Sequence, residues 1–402
     1  MKTREVKLGE VANVKGGKRI PKGIGLINIP NGHPYIRVRD LNNKRLLELD
    51  NSYEYVDNET QKVISKYTVK TGDVVLSIVG TIGLVAIVGR TLDGANLTEN
   101  CVKLSSFHGV NRDFLYYYLR SDCGQQEIRC GTVGAVQAKL PIKNIQNIAI
   151  NLPDYTTQER IVSLLLSIDR KIELNQKIND NLEQQAVALF KSWFVDFSLF
   201  GGTVPENWED TTLENITTLI TRGIAPKYSD NSDQTVVNQK CIRNHTIDLS
   251  LARTHTPKAI NEKWLKFGDL LINSTGDGTL GRVAQVWFAP KALTVDSHVT
   301  IVRPAREELI FYIGLWGILH EKEIESLHTG STGQTELPRD RVKMLKLLLP
   351  DNISLSRFNS IIAPMASTII LNQEENQKLA SLRDTLLPKL MSGEIDVSSI
   401  QL

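Results

Sequence analysis

Cysteine is scarce: the four in 402 residues (Cys101, Cys123, Cys130, Cys241) form no CxxC pair and have no histidine at metal-ligand spacing. A disulfide framework and a zinc-based fold are therefore excluded. No apolar run approaches the ~18 residues of a membrane span, and the opening MKTREVKLGE carries charge where a signal peptide needs an apolar stretch. A cytoplasmic location is expected. The sequence has no Gly-x4-Gly-Lys-Ser/Thr to cradle nucleotide phosphates, and the glycines of GTIG and GDGTLG read as turns. Asn28-Ile29-Pro30-Asn31 is not the Asn-Pro-Pro-aromatic motif of an adenine methyltransferase. Asp154 and Glu159 stand at a predicted helix start, where carboxylates serve as dipole and capping groups rather than as a nuclease centre. His298 with Asp296, and His255 with His245, lack a third partner at metal spacing. No catalytic residue and no metal ligand is assigned.

What is present suits an ordinary globular chain of two or three domains: 41% of the residues are hydrophobic and 23% charged. The net charge of +2 conceals an asymmetry. Residues 1–153 hold 21 Lys+Arg against 14 Asp+Glu, whereas 201–350 hold 17 against 18. Lys15, Lys18, Arg19, Lys22, Arg37, Arg39, Lys44 and Arg45 cluster with only Asp40 opposing them. Such a face neutralises phosphates or is simply solvated.

The two halves repeat one plan. GDVVLSIVGTIGLVAIV from Gly72 is answered by GDLLINSTGDGTLGRVAQV from Gly268, LPIKNIQNIAINLPD from Leu140 by LPRDRVKMLKLLLPD from Leu337, and LNQKIND from Leu174 by LNQEENQ from Leu371. A period near 200 residues is too long for a solenoid unit and means a duplicated module of one small domain plus one helix. Residues 1–150 and 205–350 alternate short Val/Ile runs with Gly, Asn, Asp and Pro breakers, the pattern of strands and turns, with a helical stretch at Phe114–Leu119.

After Pro153 and Pro350 the apolar spacing changes to alternating fours and threes. Ile161, Leu165, Ile168, Ile172, Asn175, Asn179, Leu182, Ala186, Leu189 and Trp193 share one stripe; Phe358, Ile362, Met365, Ile369, Asn372, Asn376, Leu379, Leu386 and Leu390 share another. Both predict coiled-coil seams. Thr156 and Glu159 suggest a capping box, Ser354 a cap for the second helix, and Pro364 a kink or a delayed start. Seam asparagines set register, so Asn175 and Asn179 are expected against Asn372 and Asn376. Direction follows from linking: an antiparallel pair of about 38 residues, roughly 57 Å at ~1.5 Å per residue, puts the two domains at opposite ends.

The run LPDYTTQERIVSLLLSIDRKIELNQKINDNLEQQAVALFKSWFVDF resembles the central conserved region of Type I restriction-modification specificity subunits, and LASLRDTLLPKLMSGEIDV resembles their C-terminal conserved region. With the Gly-Asp strand and Gly-rich block before each helix, the resemblance covers the whole chain. It implies an α+β fold: two duplicated mixed α/β target recognition domains separated by two long antiparallel coiled-coil helices, pseudo-two-fold symmetric. The expected segments are 1–153 and 201–350 for recognition, 154–200 and 351–402 for the helices and tail. It further implies a non-catalytic subunit of bacterial defence that recognises a bipartite double-stranded DNA target. Its partners would be two modification (methyltransferase) subunits and restriction subunits, the complex using S-adenosylmethionine, ATP and Mg2+ while this chain binds none. A scaffold with paired protein- or glycan-binding domains is the alternative.

Candidate DNA contacts in the first domain are Lys18, Arg19 and Lys22 of GGKRIPKG, Arg37 and Arg39 of PYIRVRDL, and Gln137 and Lys139 of GTVGAVQAKL. Arginine reaches guanine bidentately, glutamine pairs adenine, and lysine more often holds phosphate. The second domain offers Arg222, Lys227, Arg243, Asn244, His245, Thr275, Asp277, Gln334 and Arg339. Arg37 and Arg39 alternate with Ile36 and Val38, which also fits the solvent side of a strand, and both glutamines also fit as loop solubilisers. The helix-seam and partner-binding set is Ile168, Ile172, Asn175, Asn179, Leu182, Trp193, Phe194, Ile369, Asn372, Asn376, Leu379 and Leu386. Phe190, Trp193, Phe194 and Phe197 read as a packed helix end or a methyltransferase contact.

Overall fold

The computed structural model describes residues 3–41, 45–134, 137–276, 278–330 and 335–397. Two compact units emerge: Met1–Ile172 with Gln377–Leu402, and Glu173–Asn376.

In the first unit, β1 (Asn13–Gly16), β2 (Val74–Ser77) and β3 (Cys101–Ser105) belong to a sheet in which β3 lies between β1 and β2, all antiparallel. Val85–Val88 pairs on the far side of β2. β2 and Val85–Val88 are buried along their whole length because both of their faces are covered. Val74, Leu76, Val85 and Ile87 pack with Phe114, Leu115 and Leu119 on one side, and Val75, Ala86 and Val88 pack with Ile36, Leu41 and Leu97 on the other. The second unit repeats the order with β4 (Thr217–Arg222), β5 (Leu270–Asn273) and β6 (Val299–Pro304): β6 is central and Val283–Gln285 flanks β5.

The Gly-Asp pair that precedes β2 and β5 is a turn clamp. Gly72 and Gly268 take φ of +87° and +88°, a region that disfavours any side chain. Asp73 then accepts from the Lys70 amide at 2.9 Å and pairs with Lys103 at 3.3 Å. Asp269 accepts from the Lys266 amide at 2.8 Å and takes Arg303 bidentately at 2.8 and 2.7 Å.

Two long helices, α1 (Tyr155–Phe194) and α2 (Asn352–Ser392), are each divided between the units. Ile161, Leu165, Leu387 and Leu390 enter the core of the first unit; Ala186, Phe190, Phe358, Ile362 and Ile369 enter that of the second. Three sequence expectations are corrected. Asp154, not the Thr156–Glu159 box, caps α1, accepting from the Thr157 amide at 2.9 Å and its hydroxyl at 2.8 Å. Asp351, not Ser354, caps α2, accepting from the amides of Ile353 and Ser354. In both cases a carboxylate two or three residues earlier reaches the free first-turn N–H groups and draws on the helix dipole as well. α2 also starts at Asn352 and continues through Pro364, so the helix start is not delayed; the Thr368 hydroxyl donates to the Pro364 carbonyl at 2.9 Å.

Candidate nucleic-acid interface

The antiparallel pairing brings the C-terminal ends of β1 and β2 and the start of β3 to one end of the first sheet. The chain leaving β1 is pinned there: Gly17 N donates to Cys101 O at 3.0 Å and Lys18 N to Leu97 O at 2.8 Å. The same bonds recur in the second unit, Gly223 N to Val299 O at 3.1 Å and Ile224 N to Val295 O at 2.9 Å. A Cβ on Gly17 would lie 2.1 Å from Thr98 O, and one on Gly223 1.9 Å from Val295 O, so only glycine fits either site.

Lys18, Arg19 and Lys22 follow this crossing and are exposed. Arg19, with its side chain 81% exposed, pairs with Glu99 at 2.8 Å, and the Lys18 ammonium lies 5.6 Å from the centre of the Tyr67 ring. Lys139 is exposed at the same end, its backbone bridging Val133 and Val79, and Gln137 beside it is exposed too. Arg37 and Arg39 do not alternate along a strand. The strand ends at Ile36, Val38–Asp40 forms a 3-10 turn, and both guanidiniums converge on Glu54. The Glu54 carboxyl is held below its ordinary range, chiefly by the hydrogen bond from Arg37. Both arginines thus already carry an ion pair within the unit, though Arg39 keeps its side chain 60% exposed.

In the second unit Arg222 closes β4 and is likewise committed, pairing with Glu336 at 2.6 Å and donating to Leu337 O at 2.9 Å. Thr275 follows β5 and its hydroxyl lies 2.7 Å from His298 Nδ1. Asp296, two residues before His298, is buried, and burial pushes its carboxyl up against the hydrogen bond from the His298 amide. Arg243, Asn244 and His245 form a hairpin tip between Ile242–Arg243 and Thr246–Ile247, with Asn244 and His245 at φ of 49° and 60°, the two-residue turn that matches strand twist. His245 Nε2 is 3.4 Å from Glu321. Lys227 and Arg339 are exposed. Asp277 and Gln334, and Lys44 of the basic cluster, lie outside the described residues.

The seam residues sort by unit. Ile168 is buried and Ile172 half-buried in the first, where Leu386 packs against the core; Leu379 there is half-buried. Asp169 of α1 accepts from the Tyr117 hydroxyl at 2.6 Å and from Arg383 of α2 at 2.9 Å, tying the helix Arg112–Arg120 to both long helices. In the second unit Asn175 donates to Asn376 at 2.9 Å and Asn372 to Asn179 at 2.8 Å, so these helix segments run antiparallel. Leu182 and Ile369 pack into the core below. Phe190, Trp193 and Phe194 surround Phe358, with ring centres 6.0, 5.6 and 4.8 Å away, while Phe197 stacks edge-on to Trp208.

Residues 2–184 match the family model described as the Type I restriction modification DNA specificity domain. Over those residues the chain belongs to this DNA specificity domain family, and along its length it is similar to Type I specificity subunits. It is 25% identical over 393 residues to the Type I restriction enzyme MjaIX specificity subunit of Methanocaldococcus jannaschii, covering 91% of this chain and 88% of that one. It is 22% identical over 346 residues to the HindI specificity subunit of Haemophilus influenzae, covering 67% and 73%. The crystal structure of a Type I restriction-modification S subunit from M. genitalium shares the fold at a TM-score of 0.54 and 16% identity, over 97% of this chain and 99% of that one.

Sequence reasoning passed over Asn100, His298 and Glu336, which stand at the same strand ends. The signal was in the repeat: Leu140 and Leu337 align, which makes Glu336 the counterpart of Lys139.

Proposed function

We propose that this specificity subunit reads a split double-stranded DNA sequence, each α/β unit taking one half-site with the loops at its β1/β2 or β4/β5 strand ends. The units act as duplicated target recognition domains, cut for function near 1–153 and 201–350, and the long helices act as an antiparallel coiled coil that sets the gap. The chain itself is non-catalytic. Two modification subunits and the restriction subunits supply methylation, cleavage and translocation in the cytoplasm, along with the S-adenosylmethionine, ATP and Mg2+ those steps need. The observation that carries the reading is the exposed basic loop set of Lys18, Arg19, Lys22 and Lys139 on one sheet end, since phosphate contacts position such a protein and base contacts specify its site.

The test is co-expression with the neighbouring modification subunit and mapping of methylated adenines by single-molecule sequencing. One split motif with a fixed gap is expected. A stable complex that neither methylates nor binds DNA in a salt-dependent way would favour the scaffold alternative.

A further inference from the structure

Lys139 and Glu336 occupy one structural position in two copies. Each backbone forms a reciprocal bridge, Lys139 with Val133 at 2.9 Å both ways and Glu336 with Thr329 at 2.9 and 2.8 Å. The next residue is a fully buried leucine that donates to the end of the central strand: Leu140 to Ile78 O at 3.0 Å, Leu337 to Ser274 O at 2.8 Å. The residue before β3 or β6 completes the frame, Asn100 O accepting from Ile78 N and His298 O from Ser274 N, both at 2.8 Å. The backbone is therefore matched while the side-chain charge is reversed.

That reversal is supported by the surroundings. Gly16, in the first unit, ends β1 where Arg222 ends β4. Arg222 holds Glu336 Oε1 at 2.6 Å and is itself fixed by Leu337 O. The Glu336 side chain nevertheless stays 56% exposed. An ion pair this open adds little stability, and a carboxylate on a DNA-facing loop repels phosphate. What it can do is accept, because an ionised carboxylate is an acceptor only and an ammonium a donor only. On the major-groove edge the cytosine N4 amine offers a donor with no adjacent acceptor, whereas the adenine amine sits beside N7, which repels a carboxylate. Guanine O6 and N7 suit a lysine.

The geometry points to Glu336 and Lys139 as specificity-determining residues at matching positions: Glu336 selects a cytosine in one half-site, Lys139 a guanine in the other, and Arg222 positions Glu336. This rests on the reading of the chain as a two-headed DNA reader.

The experiment is the methylation motif of the complex assembled with wild-type chain, with E336Q, with E336K and with K139Q. The isosteric E336Q is expected to relax one fixed cytosine toward adenine, which glutamine pairs on both N6 and N7. E336K is expected to turn it toward guanine, with a preference change of roughly 5- to 150-fold. The other half-site and the gap stay fixed. K139Q relaxes one guanine in the opposite half-site, and R222Q relaxes the same position as E336Q. Motifs unchanged in all variants, with methylation lowered evenly at every site, would overturn the assignment and leave Glu336 a loop-ordering residue. A wild-type complex with no split motif would instead overturn the underlying reading, and this assignment with it.

Discussion

Neutralising Lys18 and Lys22 together should weaken DNA binding in a way that salt reveals. Both are exposed, and neither has a carboxylate within ion-pair distance among the described residues. Each lysine that meets a phosphate releases condensed counterion worth a slope of about 0.9 in log K against log salt, so K18Q/K22Q should lower the slope by about 1.8. Between about 50 and 200 mM salt the wild type should therefore lose roughly 12-fold more affinity than the double variant. The assay is fluorescence anisotropy of the assembled modification complex on duplex DNA, with and without the target, over a salt series. R37Q/R39Q serves as the control: both arginines are held by Glu54, so that variant should leave the slope alone. A double variant with the wild-type slope, or a control that flattens it, would refute the placement of the phosphate-binding surface.

Other outcomes follow from packing and charge. F358A removes a fully buried ring surrounded by Phe190, Trp193 and Phe194 and should cost about 3–5 kcal/mol in the second unit, measured by denaturant unfolding. N179L should destabilise by roughly 1–3 kcal/mol because Asn372 loses its acceptor, and N179L/N372L should recover much of that. Burial, and then Asp180, raise the Glu183 carboxyl to about 7 against His245. The folded state thus favours the protonated acid, giving stability present below the ordinary carboxylate range and lost as pH rises through 7; E183Q should be the more stable protein at pH 8 and close to wild type at pH 5, read as Tm. The Asp351 carboxyl is lowered to about 2: burial opposes the shift, but bonds from the Ser354 amide and hydroxyl and the Trp208 indole outweigh it. Its stabilisation should be full above pH 4, fade toward pH 2, and be missing in D351A.

Much of this was legible in the sequence, for identifiable reasons. The seam asparagines were readable because a polar residue on an apolar stripe has few places to go, and a shared centre fixes which faces which. The caps were misplaced because Asp and Thr both cap well, and Asp154-Tyr155-Thr156 offers two starts two residues apart. The ion pairs of Arg37 and Arg39 were not legible because Glu54, some 15 residues on, is brought to them only by tertiary folding. Sequence patterning cannot say which cations are already spent. Asp169 went unnoticed because a single acid in a charged helix looks like solvent decoration until Tyr117 and Arg383 close over it.

The division of the long helices has a consequence for synthesis. Chains emerge from the ribosome N-terminus first, yet the first unit lacks Leu387, Leu390, Met391 and Val397 of its own core until the whole second unit has been made. The second unit, contiguous from Glu173 to Asn376, has every piece it needs sooner. The unit begun first is thus the one finished last, and a nonsense codon shortly after residue 376 spares the later unit while stripping the earlier one of these core residues.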